Sequence, residues 1–372
     1  FSVIFFISSL AISLRFKFKS FLSDKNNIIF SITSIMMLFN ALIIHYFLNS
    51  EKLIGWDNKL SLIGLCNWIP FFICFNGFQI YLEKVEQRIK SSKLLLVGSI
   101  PILITGFGQY FLGWDQTINF FNGAIIWFIK PIDSLSGLSG LFNNPNYTSA
   151  WLSIIWPFCL LLTTKNEKKF FNKIVKLIFL TLYVITLLLT NSRIGWFSLI
   201  IPFPLIFGFS FLKISLFLAL IFISLIVSIY FNLIPLFLEE FFVNLIPNKI
   251  SNLLYFNLNN YDLYPRLDIW RVALNSIFMK PLFGWGAASF PFIYSAFKNI
   301  NVNDVVLHSH NLFFELSINY GLIVSILLLI NFLIILKTSF TIIFSGRINK
   351  HNKSYKVWFI ATLIALFTQT FD

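Results

Sequence analysis

Clusters of charge cut this chain into ten apolar runs, with approximate limits 1–14, 28–48, 60–82, 94–113, 147–164, 177–190, 195–212, 214–235, 312–336 and 357–371. A helix that crosses a bilayer needs roughly 20 predominantly apolar residues. The pattern therefore predicts an all-α polytopic membrane protein with about ten transmembrane helices. It also divides the chain into 1–235 with helices one to eight, 236–311 as one large extracytoplasmic loop, and 312–372 with helices nine and ten. The first run begins at Phe1 and the last stops at Asp372, so a fragment at both ends is the expectation.

Two further elements follow from spacing. Within the large loop, Leu267, Trp270, Ala273, Leu274, Ile277 and Phe278 share one helical face, with Pro265 at a permitted entry and Pro281 as terminator. Between Trp114 and Tyr147, Ile118, Phe121, Ile125 and Phe128 recur at helical spacing, which predicts a helix lying in the membrane interface.

Composition excludes a soluble protein. Hydrophobic residues make up 57% of the chain and charged residues 12%, with a mean hydropathy of +0.80, whereas soluble domains carry about 25% charge. The net charge of +13 raises a nucleic-acid reading, but the placement of the bases answers it. Short cytoplasmic loops retain Lys and Arg. Segments 15–27, 83–93, 165–176 and 337–356, with Lys213, hold 19 of the 28 basic residues, and every second loop is basic. The expected partner of the basic rim is anionic lipid, not nucleic acid, and the loop 236–311 faces away from the cytoplasm. Cys66, Cys74 and Cys159 all fall inside apolar runs, which implies no disulfide framework.

The candidate chemistry gathers on that outer side. Asn143-Asn144-Pro145-Asn146 makes a polar turn just before a span. Arg193 sits in a turn with almost no loop around it, either as an interfacial residue that snorkels or as an anion clamp. Arg266 opens the loop helix, and Arg271 farther along is either solvated or paired with Asp268. His308-Ser309-His310-Asn311 places two histidines where the chain re-enters the membrane. Histidine accepts a proton near neutral pH and suits a general base. His308, His310 and Glu315 could also supply three metal ligands, but their spacing matches no common zinc motif, and no metal is assigned.

Taken in order, Asn-Pro-Asn at 144–146, Ser192-Arg193 with Gly195, Arg266 and Trp270 leading to Pro281-Leu282-Phe283-Gly284-Trp285-Gly286, and His310-Asn311 ahead of Gly321 resemble the O-antigen ligase and polymerase superfamily. The resemblance implies a membrane glycosyltransferase of GT-C type in the bacterial inner membrane, acting on the periplasmic side without a metal or other cofactor. The implied donor is a glycan on polyprenyl diphosphate, and the implied acceptor is a lipid, another glycan or a protein. Carried over by position, Arg193 and Arg266 would hold the diphosphate and His310 would take the acceptor proton. His308, Asn311, Asn144, Asn146 and Arg271 would stand in support.

Two positions depart from the family pattern. Gly321 is followed by Leu322-Ile323-Val324 instead of a second nearby glycine, and Ile194 stands where a small residue is common. The Asn-Pro-Asn and Arg-x-x-x-Trp segments also resemble bicarbonate transport proteins of similar architecture. A transporter would place polar groups near the midplane on broken helices or internal repeats, whereas this sequence concentrates charge at one outer face.

Overall fold

The computed structural model describes residues 24–47, 53, 55–123, 125–132, 137–163, 170–208, 264–298, 306–344 and 353–371, with scattered positions between 211 and 224. In chain order the first helices are α1 (Lys25–Tyr46), α2 (Lys59–Ile63), α3 (Ile69–Tyr81) and α4 (Val85–Leu112). A hairpin of β1 (Thr117–Phe120) and β2 (Ile125–Phe128) follows, then α5 (Pro145–Thr163), α6 (Phe170–Leu189), α7 (Arg193–Ile200) and α8 (Pro202–Phe207). The remainder is α9 (Tyr264–Met279), α10 (Phe290–Phe297), α11 (Leu312–Tyr320), α12 (Leu322–Phe344) and α13 (Lys353–Phe371).

Among the described residues, four helices are long and apolar enough to cross a membrane: α1, α4, α6 and α12. The chain is thus an all-α membrane protein apart from one hairpin, but these four do not establish the expected ten spans. The run 1–14 and nearly all of 214–235 lie outside the described residues. Three other runs are interrupted. The run 60–82 breaks around Trp68, just before Pro70, which has no N–H to continue a helical ladder. Pro202 does the same between α7 and α8. The run 312–336 breaks at Gly321, whose φ of +90° no α-helix accommodates.

The segment 117–128 is a hairpin and not an interfacial helix, with Ile118 opposite Trp127 and Phe120 opposite Ile125. Asn122-Gly123 decides this. Both residues have positive φ, a combination that suits tight hairpin loops and ends a helix.

By contacts the chain forms two compact units. The first comprises 1–88, 261–347 and 369–372, and the second 89–260 and 348–368.

In the first unit α1 and α12 run antiparallel. The Asn331 side-chain amide donates to the Asn26 carbonyl (3.2 Å) near one end, and that of Asn40 donates to the Tyr320 carbonyl near the other. Lys25 and Lys337 therefore belong to the same end of the pair. The inward faces carry Thr33, Asn40, Ser325 and Asn331, whereas Ile28, Ile32, Ile35, Phe39 and Leu42 on α1 and Ile323, Ile326, Ile330 and Leu333 on α12 lie exposed. A water-facing helix has the opposite arrangement. An apolar outer stripe, over a seam that mixes these polar groups with Phe30, Met37 and Leu328, suits a lipid surround.

Helix α9 packs Ile269, Val272, Ala273 and Ile277 against Phe290, Ile293 and Tyr294 of α10 and Ile318 of α11. The expected face is met in part: Trp270, Ala273 and Ile277 pack here, whereas Leu267, Leu274 and Phe278 are exposed and Ile269 and Val272 take their place. The helix is apolar on two sides, and the sequence pattern merged them.

In the second unit α5 and α7 run parallel. Gly195 lies against Ser149, the Ser198 and Ser153 hydroxyls are 2.6 Å apart, and the Trp156 indole donates to the Leu199 carbonyl at 3.0 Å. A Cβ at Gly195 would strike the Ser149 hydroxyl, so this glycine sets the close approach. Leu152, Ile155 and Phe158 of α5, Tyr183 and Leu187 of α6, and Val357 and Ala361 of α13 form the core.

Candidate functional site

The break at Gly321 organises the first unit. Ending α11 there strands carbonyls in an apolar setting, where each unmet group is costly. The turn after α9 takes them up. The Trp285 N–H donates to the Ile318 carbonyl (2.6 Å), and the Leu322 N–H reaches back to the Pro281 carbonyl (2.8 Å). Asn40 bonds the Tyr320 carbonyl and also the Leu282 carbonyl at 3.4 Å. Gly284 and Gly321, both at positive φ, let the two backbones touch; the Leu282 carbonyl occupies the space a side chain at Gly321 would need. Gly321 therefore makes its close contact without a second glycine just after it in the chain; Gly284 supplies the partner.

This staple holds α9 and α11 parallel. The turn after α9 meets the last turn of α11 at Trp285 and Ile318, and the middle of α9 meets the first turn of α11 in the edge-on pair of Trp270 and Phe314. Arg266 stands four residues before Trp270, and His310 four residues before Phe314. Both therefore sit at the N-terminal end of the helix pair, where exposed N–H groups and aligned dipoles favour anions.

The loop around His310 is tied on both sides. Asn311 is the N-cap of α11; its side-chain oxygen accepts from the N–H groups of Phe313 (2.9 Å) and Phe314 (3.1 Å), and its amide donates to the Thr370 carbonyl (3.2 Å). Glu315 accepts from the Ser309 N–H (3.0 Å) and from the Asn319 amide (3.3 Å). The Ser309 hydroxyl donates to the Asn311 carbonyl (3.1 Å). His310 itself has φ +52°, a left-handed conformation in which a histidine persists only when its neighbours enforce it.

His308 is more than half exposed, with Nδ1 4.0 Å from Glu315 Oε1. The Glu315 carboxylate beside it raises the imidazole above its usual value, against the opposing effect of burial. Arg271 pairs with Asp268 at 2.6 Å, and Asp268 also accepts from the Tyr294 hydroxyl at 3.2 Å. The paired alternative read from the sequence thus holds for Arg271. Among the described residues no group of three His, Cys, Asp or Glu side chains is arranged to hold a metal.

The second unit carries Asn144, Asn146 and Arg193. The Asn144 side chain caps α5, accepting from the Asn146 N–H (2.9 Å). Arg193 is the first residue of α7 and is exposed. Because α5 and α7 are parallel, the Asn-Pro-Asn turn and Arg193 share one end of that pair. The preceding loop is fixed by Gln109, whose amide oxygen accepts from the N–H groups of Ser139 (3.0 Å) and Gly140 (2.7 Å) and whose amide nitrogen donates to the Ser139 hydroxyl (2.8 Å).

Sequence reasoning missed Gln109 and Asn40 and weighed Glu315 only as a ligand. A polar residue inside or at the end of an apolar run was the available signal for all three.

Residues 177–329 match the O-antigen ligase family model, a stretch that contains Arg193, Arg266 and His310. A 93-residue portion, 22% of the chain, is 32% identical to the ComP-specific O-oligosaccharyltransferase of Acinetobacter baylyi, and the match spans 17% of that protein. An uncharacterized protein of Haemophilus influenzae is 24% identical over 362 residues, covering 95% of this chain and 81% of its own length. Over residues 177–329, then, this chain is similar to O-antigen ligases, and a shorter stretch is similar to an oligosaccharyltransferase.

Proposed function

We propose that this protein is a membrane glycosyltransferase of O-antigen ligase or polymerase type, which moves a glycan from a polyprenyl diphosphate carrier to an acceptor hydroxyl on the periplasmic face of a bacterial inner membrane. The observation that carries this reading is the shared end of α9 and α11, with Arg266 in the first turn of one helix and the tied His310 in the loop that enters the other. His310 accepts the acceptor's hydroxyl proton as its oxygen bonds to the anomeric carbon. The bond from that carbon to the diphosphate oxygen breaks, and the electron pair leaves with the polyprenyl diphosphate. Arg266 neutralises the charge that develops there, so no general acid is required, and Arg193 keeps the diphosphate-holding role that the family resemblance implies. The full set of about ten spans, with the loop 236–311 outside the cytoplasm, belongs to the same proposal.

A transport reading would draw on the broken helix at Gly321, since transporters bind solutes at such breaks. Here the carbonyls of Ile318 and Tyr320 are already taken by Trp285 and Asn40, which leaves less for a solute.

The test is surface glycan display in a strain lacking the protein, complemented with the intact or the His310→Ala form at matched membrane levels. Restoration of a glycan ladder by the intact form alone supports the transferase. Unchanged glycans together with reduced inorganic-carbon uptake would replace it with transport.

A further inference from the structure

We infer that Glu315 is a positioning residue for His310: its carboxylate holds Ser309 and so fixes the left-handed turn on which His310 stands. The inference rests on the reading of His310 as the base.

Three observations carry it. The carboxylate belongs to the first turn of α11, where the helix dipole favours a negative charge. One oxygen, Oε2, accepts the Ser309 N–H at 3.0 Å, while Oε1 faces Asn319 at 3.3 Å and His308 Nδ1 at 4.0 Å. On the other side of His310, Asn311 is locked by its capping bonds to Phe313 and Phe314. Both flanks of one strained residue are thus pinned to the same helix turn. Capping alone accounts for Asn311; it does not account for a carboxylate reaching back past the cap to residue 309.

A base must be held in line with the proton it removes, and a displacement of about 1 Å can reduce rate by about 100-fold. The contacts of Glu315 are with Ser309, Asn319 and His308, so its removal is expected to act on turnover and not on donor binding.

The experiment uses the full chain in nanodiscs, with polyprenyl diphosphate-linked glycan extracted from the source strain as donor. Glu315→Ala is expected to lower kcat by about 10- to 100-fold, with donor KM nearly unchanged. Glu315→Gln retains an oxygen for the Ser309 N–H and is expected to recover most of that loss. In the double variant with His310→Ala, the Glu315 effect is expected to vanish, because it operates only through the base. Should Glu315→Ala fail to accumulate, Glu315→Asp, whose shorter arm withdraws from Ser309, takes its place in the same cycle. A normal kcat in Glu315→Ala, equal losses in the Ala and Gln forms, or losses that multiply with His310→Ala would overturn the assignment. Those outcomes leave the transferase reading intact, whereas normal transfer by His310→Ala alone would remove both.

Discussion

The Leu282 carbonyl fills the place a side chain at Gly321 would occupy, and it does so where α11 gives way to α12. Gly321→Ala must therefore both adopt a left-handed φ and displace backbone. A destabilisation of about 3 kcal/mol or more is expected. Thermal unfolding in detergent reads it directly, and an unchanged midpoint would mean that the staple contributes nothing.

Asn40 offers a second probe of the same staple from α1. Asn40→Leu leaves the buried Tyr320 carbonyl without its side-chain donor, at an expected cost of about 1–3 kcal/mol. Hydrogen exchange at residues 318–322 would rise if the bond holds the break closed.

His310→Ala is expected to reach the membrane at normal levels while glycan transfer falls about 100- to 10,000-fold. Quantifying transferred glycan against membrane protein separates loss of chemistry from loss of fold.

Arg193→Lys keeps the charge at the start of α7 but gives up the paired donors of guanidinium. A clear loss of donor affinity is expected. Wild-type donor binding and turnover would instead identify Arg193 as an interfacial residue that only snorkels.

The His308 and Glu315 pair gives a pH signature. The folded protein raises the His308 pKa above the ordinary value of about 6.5. Its stabilising contribution is therefore complete below that value and is lost as pH rises through the raised one. Melting midpoints between about pH 5.5 and 8.5 should fall on the alkaline side, and His308→Gln should flatten this component. An identical slope in the variant would sever the link.

What the sequence disclosed, and what it concealed, follows from the range of the interactions. Helix α9 and its stop at Pro281 were legible because Pro265, Pro281 and the apolar repeat act locally. Its packed face was legible only in part, through Trp270, Ala273 and Ile277, since Leu267 and Leu274 are as apolar as Ile269 and Val272, and only lipid or protein on either side tells them apart. Hydropathy ran through Gly321 without a mark, because a broken helix is as greasy as a whole one. The hairpin was misread although Asn122-Gly123 stood in plain view, since Ile118, Phe121 and Ile125 fit a helix by chance spacing. At the candidate site of the first unit, His310, Asn311 and Arg266 could be named from motif order. The grip of Glu315 on Ser309 required the turn to be folded first.

The bond from Asn40 to Tyr320 joins residues 280 positions apart, which sets a schedule for assembly. At a synthesis rate of about 5–20 residues per second, α1 is made roughly 14–56 s before its partner carbonyl exists. During that interval the membrane holds a helix with an amide in its middle and no native acceptor for it. The first unit can close only when residues 261–347 have emerged, so the candidate site around His310 is completed long after α1 has entered the membrane.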